Sequence, residues 1–539
     1  MKGIIPIPLE LTEKGGFSEF GKKDSIYADE ALAKGAQAFV KEILGAENDS
    51  DFSSADAKIR ITEDKTMGEE EYSLVCAGGN LTVKASAFAG VFYAVQTLKQ
   101  LVFFTPQTNG DAVRIPDIEI KDKPRFSHRG LLFDESRYFF GKDNIKRILD
   151  LMAMYKLNVL HWHLTDDQGW RVEIKKYPLL TEIGAKRKDS TVGGWKNGKL
   201  TGVPHEGFYT QADIKEIVAY AQDRNIMIIP EIDMPAHFAA AMAGYNYLGC
   251  REIPCQVHWF FGGNIPGSLG WKDWNRSACP GKETTYEFIF GVIDEITELF
   301  PAPYFHIGGD EAPKDEWKKC PECKRTMKEQ GLRSVEDLQG YFNNRIAKYL
   351  ESKNKRLIVW NEALGAENLS RDVVGQYWTP TYDKNVKKHV SEGGNVVISK
   401  HQAFYFDMGY NQYPLKNTYK FEPVGKMIDK KHEDSILGFE GALWTEWISD
   451  MEKAEMQLFP RLQALAEIAW IPRGKRDFSD FIDRMHSNNK ILDTLGVNYA
   501  EDEVSMPKNP LKRKKEQKLW YDADQHREVR LNRELKGKK

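Results

Sequence analysis

From Phe126 onward, short apolar or β-branched runs recur along the chain, and each ends in polar or aromatic residues. Eight are legible, at 130–134, 158–165, 226–232, 304–307, 356–360, 373–378, 396–400 and 437–443. Between several of them the period changes from that of a strand to that of a helix. Residues 143–156 carry the stripe Ile145, Ile148, Leu149 and Met152 behind Asp143 as an N-cap. Residues 286–300 repeat Phe288, Val292, Ile296 and Phe300 at helical spacing. Further helices fit 211–224, 335–352 and 451–471, whereas the helical pattern after the fifth and seventh runs is poor. Strand and helix alternating eight times predict an α/β chain built on a parallel (β/α)8 barrel rather than an open sheet.

Upstream of that pattern, 58–62 and 81–84 alternate as half-buried strands and Gly78-Gly79-Asn80 marks a turn. Phe88, Phe92, Val95 and Leu98 form a helical stripe within 85–101. This predicts an N-terminal α+β support domain over 1–122, without a catalytic cluster of its own. The polar, proline-broken stretch 121–125 reads as a linker, 123–475 as the barrel and 476–539 as a C-terminal helical extension. Long insertions at 236–283 and 312–333 follow the third and fourth strands and are placed to shape a rim.

Composition narrows the class. The 539 residues carry a net charge of −3, 12% aromatics and 13 tryptophans, which argues against a nucleic-acid binder and for flat apolar platforms. No run approaches the roughly 18 apolar residues of a membrane span. The first residues lack the apolar core of a secretion signal, as a cytoplasmic protein would, and as would a chain whose leader had been removed. The basic segment 512–539 reads as a solvated helix end.

In a parallel barrel, catalytic groups gather at the carboxyl ends of the strands. That places Asp134 and Arg137, Asp166 and Asp167, Asp233 and His237, Asp310 and Glu311, Trp360 and Glu362, Trp378, Tyr405 and Asp407, and Trp444 and Glu446 around one mouth. Two adjacent carboxylates such as Asp310 and Glu311 repel in a partly desolvated site, so one keeps a proton while the other stays ionised. Trp162, Trp170, Trp360, Trp378, Trp444 and Tyr405 interleave with these charges. Sugars need that mixture, because a ring face packs on indole while hydroxyls seek charged partners; about a third of these aromatics are expected to fill the core instead.

Two other patterns invite a metal reading. His161 and His163 share one face of the second strand, but strands five and six end in tryptophan where further ligands would be needed, so buried, hydrogen-bonded histidines are expected. Cys320-Pro321-Glu322-Cys323 has a zinc-like spacing, but a structural zinc takes four ligands, and the nearest other cysteine is Cys279 with no matching second pair. A local disulfide or two ordinary thiols is the expectation there.

Five motifs carry a resemblance to a known family. They are Phe133-Asp134-Glu135-Ser136-Arg137-Tyr138-Phe139, Leu160-His161-Trp162-His163 running on to Asp166-Asp167-Gln168-Gly169-Trp170, Pro230-Glu231-Ile232-Asp233-Met234-Pro235-Ala236-His237, His306-Ile307-Gly308-Gly309-Asp310-Glu311, and Ala442-Leu443-Trp444-Thr445-Glu446. Together they resemble glycoside hydrolase family 20, the β-N-acetylhexosaminidases, over roughly 125–475. The resemblance implies an exo-acting, retaining enzyme in which the substrate's 2-acetamido oxygen is the nucleophile. Carried over by position, Glu311 is the general acid and base, Asp310 orients the acetamide, Tyr405 holds its oxygen, and Trp360, Trp378 and Trp444 wall the sugar. Arg137, Asp407 and Glu446 fall where the outer hydroxyls are gripped, and Asp166 and His237 where a dyad supports Glu311. Where the family has glycine before this histidine, Ala236 stands. The resemblance implies no cofactor or metal, an N-acetylhexosamine-containing glycan as partner, and a monomer or homodimer. Spacing alone leaves open a retaining β-glycosidase with Glu446 as protein nucleophile, and a non-catalytic sugar-binding barrel.

Overall fold

A computed structural model describes residues 3–46, 52, 56–108, 110–192, 199–261 and 277–509. Its first layer is a six-stranded sheet in the order Glu10–Gly21, Ala112–Asp122, Tyr72–Ala77, Asn80–Ala85, Ile59–Glu63 and Ile26–Ala28. Gly78 and Gly79, at φ of 58° and 77°, make the tight turn between Tyr72–Ala77 and Asn80–Ala85, a conformation that glycine adopts without steric cost. The helix Phe88–Phe104 buries its apolar stripe against this sheet.

The second unit is a closed barrel of eight parallel strands: His128–Asp134, Val159–His163, Met227–Glu231, Tyr304–His306, Arg356–Trp360, Val374–Tyr377, Val396–Ile398 and Ile436–Leu443. All eight runs read from the sequence are strands. Helices Lys142–Met154, Gln211–Gln222, Glu283–Leu299, Val335–Glu351 and Asp383–Ser391 follow strands one, two, three, four and six. Only a short 3-10 turn, Ala363–Gly365, follows the fifth, and only brief turns of helix follow the seventh. The helix Phe478–Thr494 and the short Asp502–Ser505 make up the described part of the C-terminal extension; the segment 512–539 lies outside the described residues.

Several local expectations need correction. Asp143 is not an N-cap: Gly141 is, and Asp143 sits in the first turn, where its charge still favours the helix N-terminus. The stretch 451–471 is two helices, Met451–Leu458 and Arg461–Trp470, parted at Pro460, whose nitrogen carries no hydrogen to donate. A long excursion after the second strand, built on pairs of two-residue strands such as Lys186–Arg187 with His205–Glu206, went unread because strands that short have no periodicity. The stretch 121–125 is no free linker. Lys121 and Asp122 end the last strand of the first sheet, and Asp122 is buried. Its carboxylate meets Lys156 Nζ at 2.9 Å, Tyr72 OH at 2.7 Å and Trp470 Nε1 at 2.7 Å, tying sheet to barrel through a charge with three donors.

Candidate active site

The fourth strand delivers the carboxylate pair. After His306 the chain turns sharply: Gly308 has φ of 66°, and a Cβ there would lie 1.8 Å from the Asp233 carboxylate, so both conformation and space demand glycine. Gly309, at φ of 89°, has its carbonyl held by Gln339 Nε2 at 2.7 Å. Glu311 follows with φ of 47°, its N–H donating to Glu362 Oε2 at 2.6 Å. Five non-glycine residues among those described have positive φ. Lys156, Asn225 and Asn354 lie just past helix ends, and the next N–H reaches back to the last helical turn, as in Leu157 to Met152 O. His237 and Glu311 have no such explanation. Each holds a backbone conformation that costs on the order of 1 kcal/mol or more, and such strain collects at functional sites.

Those two strained residues meet. His237 Nε2 lies 3.5 Å from Glu311 Oε2 and 3.9 Å from Asp310 Oδ2, while its Nδ1 is 3.2 Å from Asp166 Oδ1. Asp166 in turn pairs with Arg137 Nη2 at 2.5 Å and with His163 Nε2 at 3.3 Å. Arg137 continues to Asp134 at 3.2 Å and Glu446 at 3.9 Å, and its Nε donates to Gln168 at 3.1 Å. The turn after the first strand aims it: Asp134 Oδ1 accepts the N–H groups of Ser136 and Arg137, folding the chain back on itself. An ion pair of Arg137 with Asp134 and a place in the mouth are both realised.

The carboxylate pair is split electrostatically, though not as its assigned roles require. Burial, with the charges of Glu311 and Glu362, pushes Asp310 up to about 7. Glu311 is lowered by its hydrogen bond and charge contact with His237. Burial disfavours the charged imidazole of His237, but Asp166 and Asp233 outweigh it and hold the ring protonated well above the ordinary histidine range. The Glu311 side chain is 60% exposed, so its surroundings are the part of the site most open to change when water leaves.

Aromatic rings from strands five to eight close the opposite side. Trp360 and Trp444 lie 5.9 Å apart, Trp378 stacks near-parallel on Tyr405 at 5.9 Å, and Tyr405 lies 6.2 Å from Trp444. Tyr405 is close enough to Asp310, Asp407 and Glu311 for their charges to raise its hydroxyl, on top of the larger effect of burial. Asp310 Oδ1, Asp407 Oδ1 and Trp378 Nε1 are buried atoms with no hydrogen-bond partner among the described residues. Unpaired buried polar atoms are costly unless something else pairs with them. The eleven residues given a role by the resemblance therefore lie at one mouth. Trp162 and Trp170 do not: they are buried among Tyr209, Phe300 and Phe238 and belong to the core.

Beneath the mouth, His161 and His163 lie hydrogen-bonded inside the barrel. His161 contacts Glu440 at 2.8 Å and Glu231 at 3.0 Å, and His163 contacts Glu231 at 2.5 Å. Three supporting residues had no assigned role: Asp233 packed on Gly308, Glu362 holding the Glu311 N–H, and Gln168 steering Arg137. The strand-end rule places Asp233 and Glu362 at the mouth but says nothing of what each one holds. Gln168, in the excursion after strand two, has no such marker. A hollow of about 710 Å³ lies at the opposite end of the barrel, lined by Glu70, Arg125, Asn158 and Pro303, and shares no residue with the mouth.

Comparison with known proteins agrees with this geometry. Residues 126–473 match the family model described as glycosyl hydrolase family 20, catalytic domain, and residues 1–123 match glycosyl hydrolase family 20, domain 2. A β-hexosaminidase of Porphyromonas gingivalis is 33% identical over 94% of this chain and 65% of its own length, so the chain spans slightly under two thirds of that relative. One of Vibrio furnissii is 35% identical over 86% of this chain and 76% of its own. Among solved structures, the exo β-N-acetylglucosaminidase of Vibrio harveyi, in complex with N-acetylglucosamine, superposes with a TM-score of 0.79 at 31% identity, covering 92% of this chain and 78% of that one. The β-N-acetylhexosaminidase of Bacteroides fragilis gives 0.79 at 30% identity, covering 92% and 96%.

Proposed function

The chain belongs to glycosyl hydrolase family 20, the β-N-acetylhexosaminidases, and from that premise we propose that it removes terminal, non-reducing GlcNAc or GalNAc from glycans with retention, through an oxazolinium intermediate. The observation that carries this reading is His237 lying within 3.9 Å of both Asp310 and Glu311, with the Trp360, Trp378, Tyr405 and Trp444 cage across the same mouth.

In this reading Glu311 protonates the departing oxygen and then activates water. Asp310 accepts the acetamide N–H and stabilises the positive charge that grows as the ring closes. Tyr405 donates to the acetamide oxygen, and the three tryptophans wall the sugar. Arg137, Glu446 and Asp407 take the outer hydroxyls, with the unpaired Asp407 Oδ1 a natural acceptor. Asp166 fixes the His237 ring, which in turn sets the charge state of Glu311.

Substrate binding reconciles the titration order with these roles. In the free site the shared proton favours Asp310. An acetamide N–H donated to Asp310 stabilises its charged form, while a sugar covering the exposed Glu311 carboxyl disfavours charge there. Both changes move the proton to Glu311, where the leaving group needs it.

The test compares aryl β-GlcNAc with the matching β-glucoside. Hydrolysis of the first, with none detectable for the second, is expected if the acetamide attacks. Comparable turnover of both would sink the reading and point to Glu446 as nucleophile.

A further inference from the structure

Cysteines that stand far apart in the chain converge outside the active site. Cys320 and Cys323 belong to the turn that opens the helix Pro321–Glu329, in the insertion after the fourth strand. Cys250 and Cys279 come from the insertion after the third. The four Sγ atoms all lie within 4.8 Å of one another, with Cys250 to Cys323 at 3.8 Å, Cys279 to Cys320 at 3.8 Å and Cys279 to Cys323 at 3.6 Å. A disulfide would need about 2.05 Å. Four thiolates at the usual zinc–sulfur length of about 2.3 Å sit at the corners of a tetrahedron whose edges are about 3.8 Å. Three of the six spacings, at 3.6–3.8 Å, match those edges, and all six are within 4.8 Å.

The backbone is arranged to hold that geometry. Cys323 N–H donates to Cys320 Sγ, and Gly281 N–H to Cys279 Sγ, so two sulfurs already have the amide donors that stabilise thiolate charge. The turns Cys279-Pro280-Gly281 and Cys320-Pro321-Glu322-Cys323 pack backbone to backbone: a Cβ on Gly281 would lie 2.4 Å from the Cys323 nitrogen. Cys279 N–H is held by Leu248 O at 2.8 Å, next to Cys250. Cys279, Cys320 and Cys323 are buried, with Trp317, Val335 and Leu338 around them.

We propose that Cys250, Cys279, Cys320 and Cys323 bind one structural zinc ion as a closed four-thiolate site. With four protein ligands the ion has no open position, so it takes no part in hydrolysis. It ties the insertion after strand three to the insertion after strand four. From there the contacts run toward the mouth: Trp317 Nε1 to Ala278 O at 3.1 Å, Ser277 Oγ to Pro313 O at 3.0 Å, and Ala278 N–H to Pro235 O at 2.7 Å. Pro313 and Pro235 are each two residues from Glu311 and His237. The ion thus braces both strained residues from behind.

The test uses the full chain, purified under reducing conditions without chelator, with metal measured by plasma mass spectrometry and thiols counted after denaturation with chelator. One zinc per chain and six reactive thiols are expected, and exchange for cobalt(II) should give the intense visible absorption of a tetrahedral tetrathiolate. Cys323→Ser should lose the metal and Cys255→Ser should keep it. Wild-type protein without bound metal, iron in place of zinc, or four of the six thiols lost to disulfides would each overturn the proposal. None of these readouts depends on the glycosidase assignment.

Discussion

Glu231 and Glu440 inside the barrel, and Asp310 and Asp407 at its mouth, are shielded carboxylates in opposite electrostatic states. Burial opposes charge on all four. Inside the barrel that is overcome: His161 and His128 hold Glu440, and three histidines hold Glu231, well below the carboxylate range. Gln376 and Trp360 add further donors. At the mouth burial prevails, raising Asp310 to about 7 and Asp407 well above its usual value, and each keeps an oxygen with no partner among the described residues. Inside the barrel every oxygen of Glu231 and Glu440 has a partner, and the network acts as scaffold. The mouth is complete only with a ligand supplying donors, which is how a site reserves its hydrogen-bonding capacity for substrate.

Substitutions should separate the two regions. Glu311→Gln is expected to cut kcat/KM on sugar or alkyl leaving groups by ~10³-fold, far less on aryl glycosides that depart unassisted, with the melting temperature unchanged. Equal losses on both substrates would count against the acid role. Glu440→Gln should do the converse, removing about 3 kcal/mol from folding by taking away a counter-charge of the buried His161, as read by denaturant titration; an unaffected midpoint would dissolve the contrast.

Asp310→Asn should slow turnover ~10²-fold whatever the leaving group. It should leave stability equal or better, since a repelled buried carboxyl is removed, and a clear drop in the melting temperature would mean Asp310 is scaffold after all. Arg137 stands on the border, paired with Asp134 and Asp166 yet facing the mouth. Arg137→Ala should raise KM ~10-fold, whereas unchanged kinetics with lower stability would move it to the scaffold.

The smallest effect is on pH dependence. The folded-state value of His161 rises to about 9 from 6.5, so its contribution to stability is full below 6.5 and lost as pH climbs through 9. Glu440, depressed below its usual 4.5, contributes fully above 4.5 and loses its share as pH falls through the acid range beneath that value. Thermal melts should therefore decline from pH 6.5 to 9, and His161→Gln should flatten that limb; an identical slope in the variant would remove His161 from the account.

The barrel was legible because a change between two-residue and helical periods survives in a single sequence, and the strand-end rule then gathered fifteen residues around one mouth, eleven of which the resemblance gave a role. Less visible were features without a period or a local partner, such as the two-residue strands after strand two and the supporting Gln168. The chain determined by itself which segments are strands, that glycines must precede Asp310, and that acids and aromatics end those strands. Only the tertiary structure decided which carboxylates are paired and which are left waiting, since a donor and its acceptor such as His128 and Glu440 lie 312 positions apart. It also brought Cys250 and Cys279 to Cys320 and Cys323, where the sequence showed a lone pair, because ligand sets and pKa values follow distance in space, and distance along the chain says little about that.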